Sequence, residues 1–287
     1  MRRIIILVGS LIVLSGLVYI GWRVWEAAGY YKIKERLNIV VYSQRFYLYS
    51  IDLRTDLDYL IALPLEYKAD IPGGYGEYLL GSLGKLAVLE KDLDLIKRAT
   101  GRIFAVPVDL LFFKDLGRVY QKPPEDNEKI LQPREVFLYS SDADLADRIY
   151  LFLKLLDAGK RKVKKISVYR FVEDGRLNIQ KVNEYTDGLF LSSALREENR
   201  LVQIYSSYPS AGENLMDLLE GVGINVFEVS SKASDEPCQI VEYSDSASKT
   251  GIFLQGFLKC RYDVESRKSN SIVNINIYLN KKSEEWR

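Results

Sequence analysis

Any chemistry in this chain has to be done without histidine and with only two cysteines, Cys238 and Cys260. There is no imidazole base and no histidine-bound zinc or iron, and two thiolates cannot complete a four-thiolate metal site. Carboxylates, lysine, arginine, tyrosine and serine remain, together with any hard cation that oxygen ligands could hold. Carboxylates cluster at Asp52/Asp56/Asp58, Glu90/Asp92/Asp94 and Asp142/Asp144/Asp147. The first cluster lacks the ligand order of an EF-hand. The other two fall at starts or polar faces of helices, where acids are favoured. All three read as solvated surface, so no metal is expected. Gly81-Ser82-Leu83-Gly84-Lys85 lacks the spacing and the Ser/Thr of a phosphate loop, and Gly73-Gly74-Tyr75-Gly76 follows a proline as a turn. No nucleotide is expected, and no cofactor.

The elements that would position these groups follow from periodicity. The 287 residues are 47% apolar, enough for a core, and 40 basic against 39 acidic side chains leave no global field for nucleic acid. Leu37–Val41, Phe46–Ile51 and Tyr59–Pro64 read as strands, the last two joined as a hairpin. Leu86, Leu89, Leu93 and Ile96 give one apolar helix face, closed by Thr100-Gly101, with Ile103–Asp109 as a buried strand beyond it. A second helix is expected from Asp142 to Asp157, capped by Ser141 or Asp142, with Leu145, Ile149, Phe152, Leu153 and Leu156 inward. Lys160 to Lys165 reads as a solvated turn, with contact to anionic envelope lipid or polymer as the sharper alternative. Pro123 to Pro133 is a polar surface loop.

The last third repeats a pattern. Strand Val202–Ser206, a helix from Ser210 to Val222 and strand Gly223–Val229 are followed by Cys238–Ser244, a helix with Ile252, Phe253 and Phe257, and Tyr262–Val264. Ile272–Leu279 alternates as one more strand. Two β-α-β units on one sheet are the economical reading, and the class is α/β (α+β). If the strands bearing Cys238 and Cys260 are neighbours, a disulfide between them is feasible; two separate buried thiols fit the sequence as well. Many of the 20 tyrosines fall on strands, and exposed ones could stack on sugar rings.

Residues 4–22 carry no charge and no proline, long enough for a helix to span a bilayer of about 30 Å. Tyr19, Trp22 and Trp25 sit at the end of this run, where aromatic rings favour the interface. Arg2 and Arg3 before it place the N-terminus in the cytoplasm and the rest outside. A cleaved signal peptide is the main alternative, against which stand the length of the run and the poor cleavage site Trp25-Glu26-Ala27-Ala28; a buried core helix is the lesser one, since such a helix is rarely apolar on every face. The expected divisions are 1–23, cytoplasmic end and transmembrane helix; 24–36, juxtamembrane stalk; 37–198, an α/β domain; and 199–287, a β-α-β module.

Taken in this order, the parts resemble a membrane-anchored bacterial envelope protein of the LytR-CpsA-Psr family with a LytR C-terminal domain. Val202-Gln203-Ile204-Tyr205-Ser206, Ala211-Gly212 and Gly223-Ile224-Asn225-Val226-Phe227-Glu228-Val229 are similar to the C-terminal module, with Ser207-Tyr208-Pro209 replacing its usual Asn-Gly loop. Leu48–Asp52, Ile61-Ala62-Leu63-Pro64 and Phe104–Asp109 resemble strands of the family's main domain. The resemblance implies transfer of glycopolymer from a polyprenyl-pyrophosphate carrier to peptidoglycan, with arginines on the pyrophosphate and aspartates on magnesium. The family's Arg-Asp after the proline is here Leu65-Glu66, and leucine cannot make a bidentate phosphate fork. An acid expected upstream is absent from Tyr42-Ser43-Gln44-Arg45. The main domain therefore reads as degenerate, and the expected function is non-catalytic binding of cell-wall glycan, peptidoglycan or another envelope glycopolymer, or of an assembly partner. One alternative is a divergent phosphotransferase using Arg45, Arg98 or Arg102 with Asp52 or Glu66, and magnesium, in one apolar groove between the hairpin and the Leu86–Ile96 helix. Arg118 is a further scattered arginine. Another alternative is a structural subunit of a membrane complex, with the Pro123–Pro133 loop as contact surface.

Overall fold

The computed structural model describes residues 2–120, 131–157, 161–232, 237–266 and 272–287, without the side chains of residues 2–13 and 27–30. Most of the Pro123–Pro133 loop and Lys160 therefore lie outside the described residues. Helix α1 (Arg2–Lys34) opens the chain. Among the described residues no helix is long and apolar enough to cross a membrane. The side chains of residues 4–13 in the expected span are not among those described.

The stretch read as a stalk ends inside the fold. Tyr31, Lys34, Glu35 and Arg36 are all buried. Lys34 Nζ lies 2.5 Å from Asp109 Oδ1 with both side chains at most 4% exposed. Glu35 turns the chain at φ 65, and its carboxylate accepts the N–H groups of Ser193 (2.9 Å) and Ala194 (3.0 Å). Ion pairing and capping thus tie the end of α1 to distant segments, a role that sequence distance concealed.

Strands β1 (Arg36–Tyr42), β2 (Phe46–Asp52) and β3 (Leu57–Leu63) form an antiparallel meander in the centre of a six-stranded sheet. A side sheet holds β4 (Lys68–Ile71) and β5 (Gly76–Leu79). The single helix expected around Leu86–Gly101 is two, α2 (Leu83–Leu89) and α3 (Asp94–Phe104). Lys91 breaks it at φ 55, and Leu89 and Leu93 face solvent. Gly101 does not end α3. A Cβ there would sit 2.9 Å from the Val106 carbonyl oxygen and 3.1 Å from Leu218, so its smallness serves close packing. The strand expected at 103–109 starts later, as β6 (Leu110–Phe113), parallel to β1.

Beyond β6 come α4 (Glu135–Leu138), β7 (Ser140–Ser141) and α5 (Leu145–Leu156). The cap of α5 is Asp144, in a reciprocal box with Asp147, rather than Ser141 or Asp142. Its buried face is also not the expected one. Ala146, Tyr150, Leu151 and Leu155 pack inward, while Leu145, Leu153 and Leu156 are more than half exposed. Tyr31 of α1 decides this by stacking on Tyr150 with ring centroids 5.3 Å apart.

Strand β8 (Lys162–Ser167) completes the first sheet in the order β7-β6-β1-β2-β3-β8. It is an edge strand, and its exposed lysines suit the protection of an open edge. Arg161 is no solvated turn residue, since it pairs with Asp58 at 2.7 Å. The short strands β9 (Val172–Glu173) and β10 (Arg176–Leu177) join β4 and β5, and α6 (Ile179–Thr186) and α7 (Ser193–Glu198) follow.

The last part holds β11 (Leu201–Ser206), α8 (Pro209–Gly221), β12 (Asn225–Ser231), β13 (Gln239–Tyr243), α9 (Lys249–Leu258), β14 (Arg261–Glu265) and β15 (Ile275–Tyr278), then α10 (Ser283–Trp286). β11-α8-β12 and β13-α9-β14 are two parallel β-α-β units sharing one sheet, in the order β12-β11-β15-β13-β14. On α8, Leu215, Leu218 and Leu219 are buried, as is Val222 at its C-terminal cap; on α9, Phe253, Leu254 and Leu258 are, whereas Ile252 is 37% exposed. Cys238, before β13, and Cys260, before β14, are joined in a disulfide. One continuous cluster of buried side chains runs from Val40 and Ile61 through Leu95 and Ile103 to Leu218, Ile277 and Trp286.

Candidate functional site

The five side chains singled out for phosphate chemistry are dispersed. Arg45 occupies the β1–β2 turn, where its charge acts on Tyr47 and Tyr139. Asp52 is fully engaged: Oδ2 pairs with Arg36 at 2.7 Å, and Oδ1 accepts the N–H groups of Arg54 and Thr55. Glu66 stands by Tyr169, whose phenol is raised in pKa by burial and then by that carboxylate; Glu66 Oε2 is buried without a partner. Arg98 meets Asp92, and Arg102 meets Asp70 at 2.5 Å. Arg102 lines a cavity of 720 Å³ and Arg98 a separate one of 60 Å³; Arg45, Asp52 and Glu66 line neither. Arg118 is 70% exposed, 4.0 Å from Asp115.

The groove expected between the hairpin and α2–α3 is filled by side chains. Val40, Tyr42, Leu48 and Ile61 from the sheet meet Leu83, Leu86, Ala87, Ile96 and Ile103 from the helices, all in one cluster. Among the described residues no group of three or more carboxylates or cysteines is placed to hold a metal ion. The acidic clusters are spent on structure. Asp58 is fully buried, accepting the Tyr49 hydroxyl at 2.8 Å and pairing with Arg161, which corrects its reading as surface. Asp94 and Asp142 both pair with Lys97. The signal for Asp58 was a lone carboxylate beside Tyr59 in an otherwise apolar strand.

A different surface collects recognition groups. In the five-stranded sheet Val202, Ile204, Ile240, Ile275 and Ile277 turn into the core shared with α8 and α9. The opposite face carries the half-exposed Gln203, Tyr205, Asn276 and Tyr278, because side chains alternate along a strand. Registers align Gln203 with Asn276 and Tyr205 with Tyr278 on neighbouring strands. The two tyrosine rings stack, with centroids 4.8 Å apart and planes 7° from parallel. Lys232 Nζ lies 4.8 Å from the Tyr278 ring and 5.5 Å from that of Tyr205. Asn276 Nδ2 lies 3.3 Å from the Tyr278 hydroxyl and 3.4 Å from that of Tyr243, and Gln239 donates to Asp263 at 2.9 Å. Burial first, then neighbouring Tyr278 and Glu228, raises the Tyr205 phenol, which therefore remains a neutral donor at physiological pH. Amides, phenols, a stacked aromatic pair and one cation on an extended face can bind polyhydroxylated ligands. Of these residues the sequence indicated only strand tyrosines in general.

No protein-family model matches the chain, and a search of curated proteins found no match. Solved structures do show a partial likeness. Bacillus subtilis TagT is 15% identical with a TM-score of 0.37, over 54% of this chain and 89% of that one. A LytR-CPS2A-psr family protein, YwtF (TagT), with bound octaprenyl pyrophosphate lipid is 14% identical at a TM-score of 0.37, over 53% and 89%. Bacillus subtilis yvhJ, described as a transcriptional regulator, is 9% identical at 0.37, over 53% and 95%.

Proposed function

We propose that this chain is an envelope protein, tethered N-terminus inward by the apolar stretch 4–22, that binds cell-wall glycan or an envelope assembly partner without transforming it. The observation that carries this reading is the polar and aromatic face of the five-stranded sheet around Tyr205 and Tyr278. A half-exposed tyrosine ring can pack against the C–H surface of a sugar while its hydroxyl and the neighbouring amides serve the sugar hydroxyls. The extended face suits a linear polymer. The envelope setting rests on the charge-free N-terminal run and on the sequence resemblance. Asp52 is paired with Arg36, Arg98 with Asp92 and Arg102 with Asp70, and Arg98 and Arg102 line separate cavities, which weighs against the phosphotransferase reading. Retention of the full-length protein, in detergent, on isolated cell wall is the test. Wild type is expected to be retained and Tyr205→Ala/Tyr278→Ala to lose about tenfold in affinity, since aromatic anchors dominate such contacts. Retention of wild type no better than a control protein of similar charge removes the glycan-binding reading.

A further inference from the structure

The charges around the Tyr205–Tyr278 face narrow the class of ligand it takes, an inference that rests on the glycan-binding reading above. Residues matched in register on neighbouring strands project to the same side of a sheet. Gln203 is matched with Glu228 on one side, and on the far side Gln239 is matched with Arg261 and Tyr243 with Glu265. Amides and phenols therefore occupy the middle of the face, and charged groups stand at its margins.

The cations there are already engaged. Arg261 Nε lies 2.9 Å from Asp263, so its guanidinium is paired within the face. The Lys232 ammonium lies over the Tyr278 and Tyr205 rings, whose electron-rich faces attract it. Glu228 and Glu265 are exposed, and among the described residues they make no ion pair. Their negative potential reaches the rings. Burial first, then Tyr278 and Glu265, raises the Tyr243 phenol, much as burial, Tyr278 and Glu228 raise that of Tyr205.

We propose that this face selects an uncharged polysaccharide and rejects polymers that carry phosphate or carboxylate groups. A polyanion is held by converging cations, above all by arginine free to make a bidentate contact. Here the arginine is paired and two carboxylates flank the aromatic centre, so repeated negative charge meets like charge. A neutral sugar meets no such penalty. Its hydroxyls both donate and accept, so the marginal carboxylates and the amide oxygens take its O–H groups while amide N–H groups and phenols serve its oxygens.

Retention of the full-length protein in detergent is measured on isolated cell wall rich in phosphate polymers, before and after hydrofluoric acid strips them, from low salt to about 1 M. Wild type is expected to be retained at least as well on the stripped wall. Its retention should change less than about twofold across the salt series, because contacts between neutral groups are not screened. Glu228→Lys/Glu265→Lys, at exposed positions that spare the fold, is expected to gain about threefold or more on the unstripped wall at low salt and to lose that gain at high salt. Wild-type retention that vanishes on the stripped wall, or that falls steeply with salt, overturns the selection of neutral glycan while leaving glycan binding in place. Absence of retention on both walls removes the two readings together. A charge-reversed protein indistinguishable from wild type means that the two acids select nothing, and that result also overturns the proposal.

Discussion

Glu198 shows how an acidic side chain in this protein is spent on structure and becomes a pH liability. Its carboxylate caps α9, accepting the Lys249 N–H at 2.9 Å and both the N–H and the hydroxyl of Thr250 at 2.7 Å. Burial pushes its pKa up, but the Thr250 and Lys249 bonds outweigh that, and the net shift is below the ordinary glutamate value. A folded-state pKa lower than the unfolded one stabilises the fold above the unfolded value, and that gain disappears as pH falls through the folded one. Glu198→Gln is therefore expected to melt below wild type at neutral pH, with the two melting temperatures converging as pH drops below about 4.3. Thermal melts across that range check it; a gap that stays constant into strong acid would show that Glu198 does not titrate with unfolding. Lys34 and Asp109 are the opposite type of residue, a pair so deeply buried that desolvation pushes the carboxyl up even beside the ammonium. Such a pair fixes position more than it adds stability.

Among the elements, the meander β1–β3 and the strand–helix–strand pattern of the last third were legible because strand alternation and helix spacing are local properties. The break between α2 and α3 and the buried face of α5 were not. An apolar stripe shows that a helix has a side to hide, and the partner that arrives selects which side. On α5 that partner is Tyr31, far away in sequence. Gly101 carries the same lesson, looking like a helix end and serving as a contact between α3 and α8. Gly101→Ala is expected to destabilise the protein by about 1–2 kcal/mol. Overpacking against a backbone oxygen costs more than the roughly 1 kcal/mol that alanine gains in a helix interior. Denaturant unfolding measures it, and an unchanged or raised midpoint would mean that α3 and α8 yield easily.

For the molecule as a whole, the buried cluster joining the first sheet, α3, α8 and the last sheet implies that these parts share their stability. Calorimetry of the full-length protein is expected to show one cooperative transition, and two resolved transitions would refute a shared core. The candidate site follows the same division. Strand tyrosines could be read in advance, but the stacking of Tyr205 on Tyr278 depends on β15 inserting between β11 and β13, a pairing no local signal announces.

By itself the sequence determined the exclusions and the local frame: no imidazole chemistry, a charge-free stretch near the N-terminus and an α/β order of elements. These are matters of composition and short-range periodicity, which any sequence carries openly. Tertiary structure alone decided that Asp52, Arg98 and Arg102 each pair with a different partner and that the strands of the hairpin and the helices α2 and α3 share one core. It also decided that one sheet face collects the aromatic and amide groups. Convergence of side chains depends on which distant segments meet, and that is set by burial of the whole chain at once.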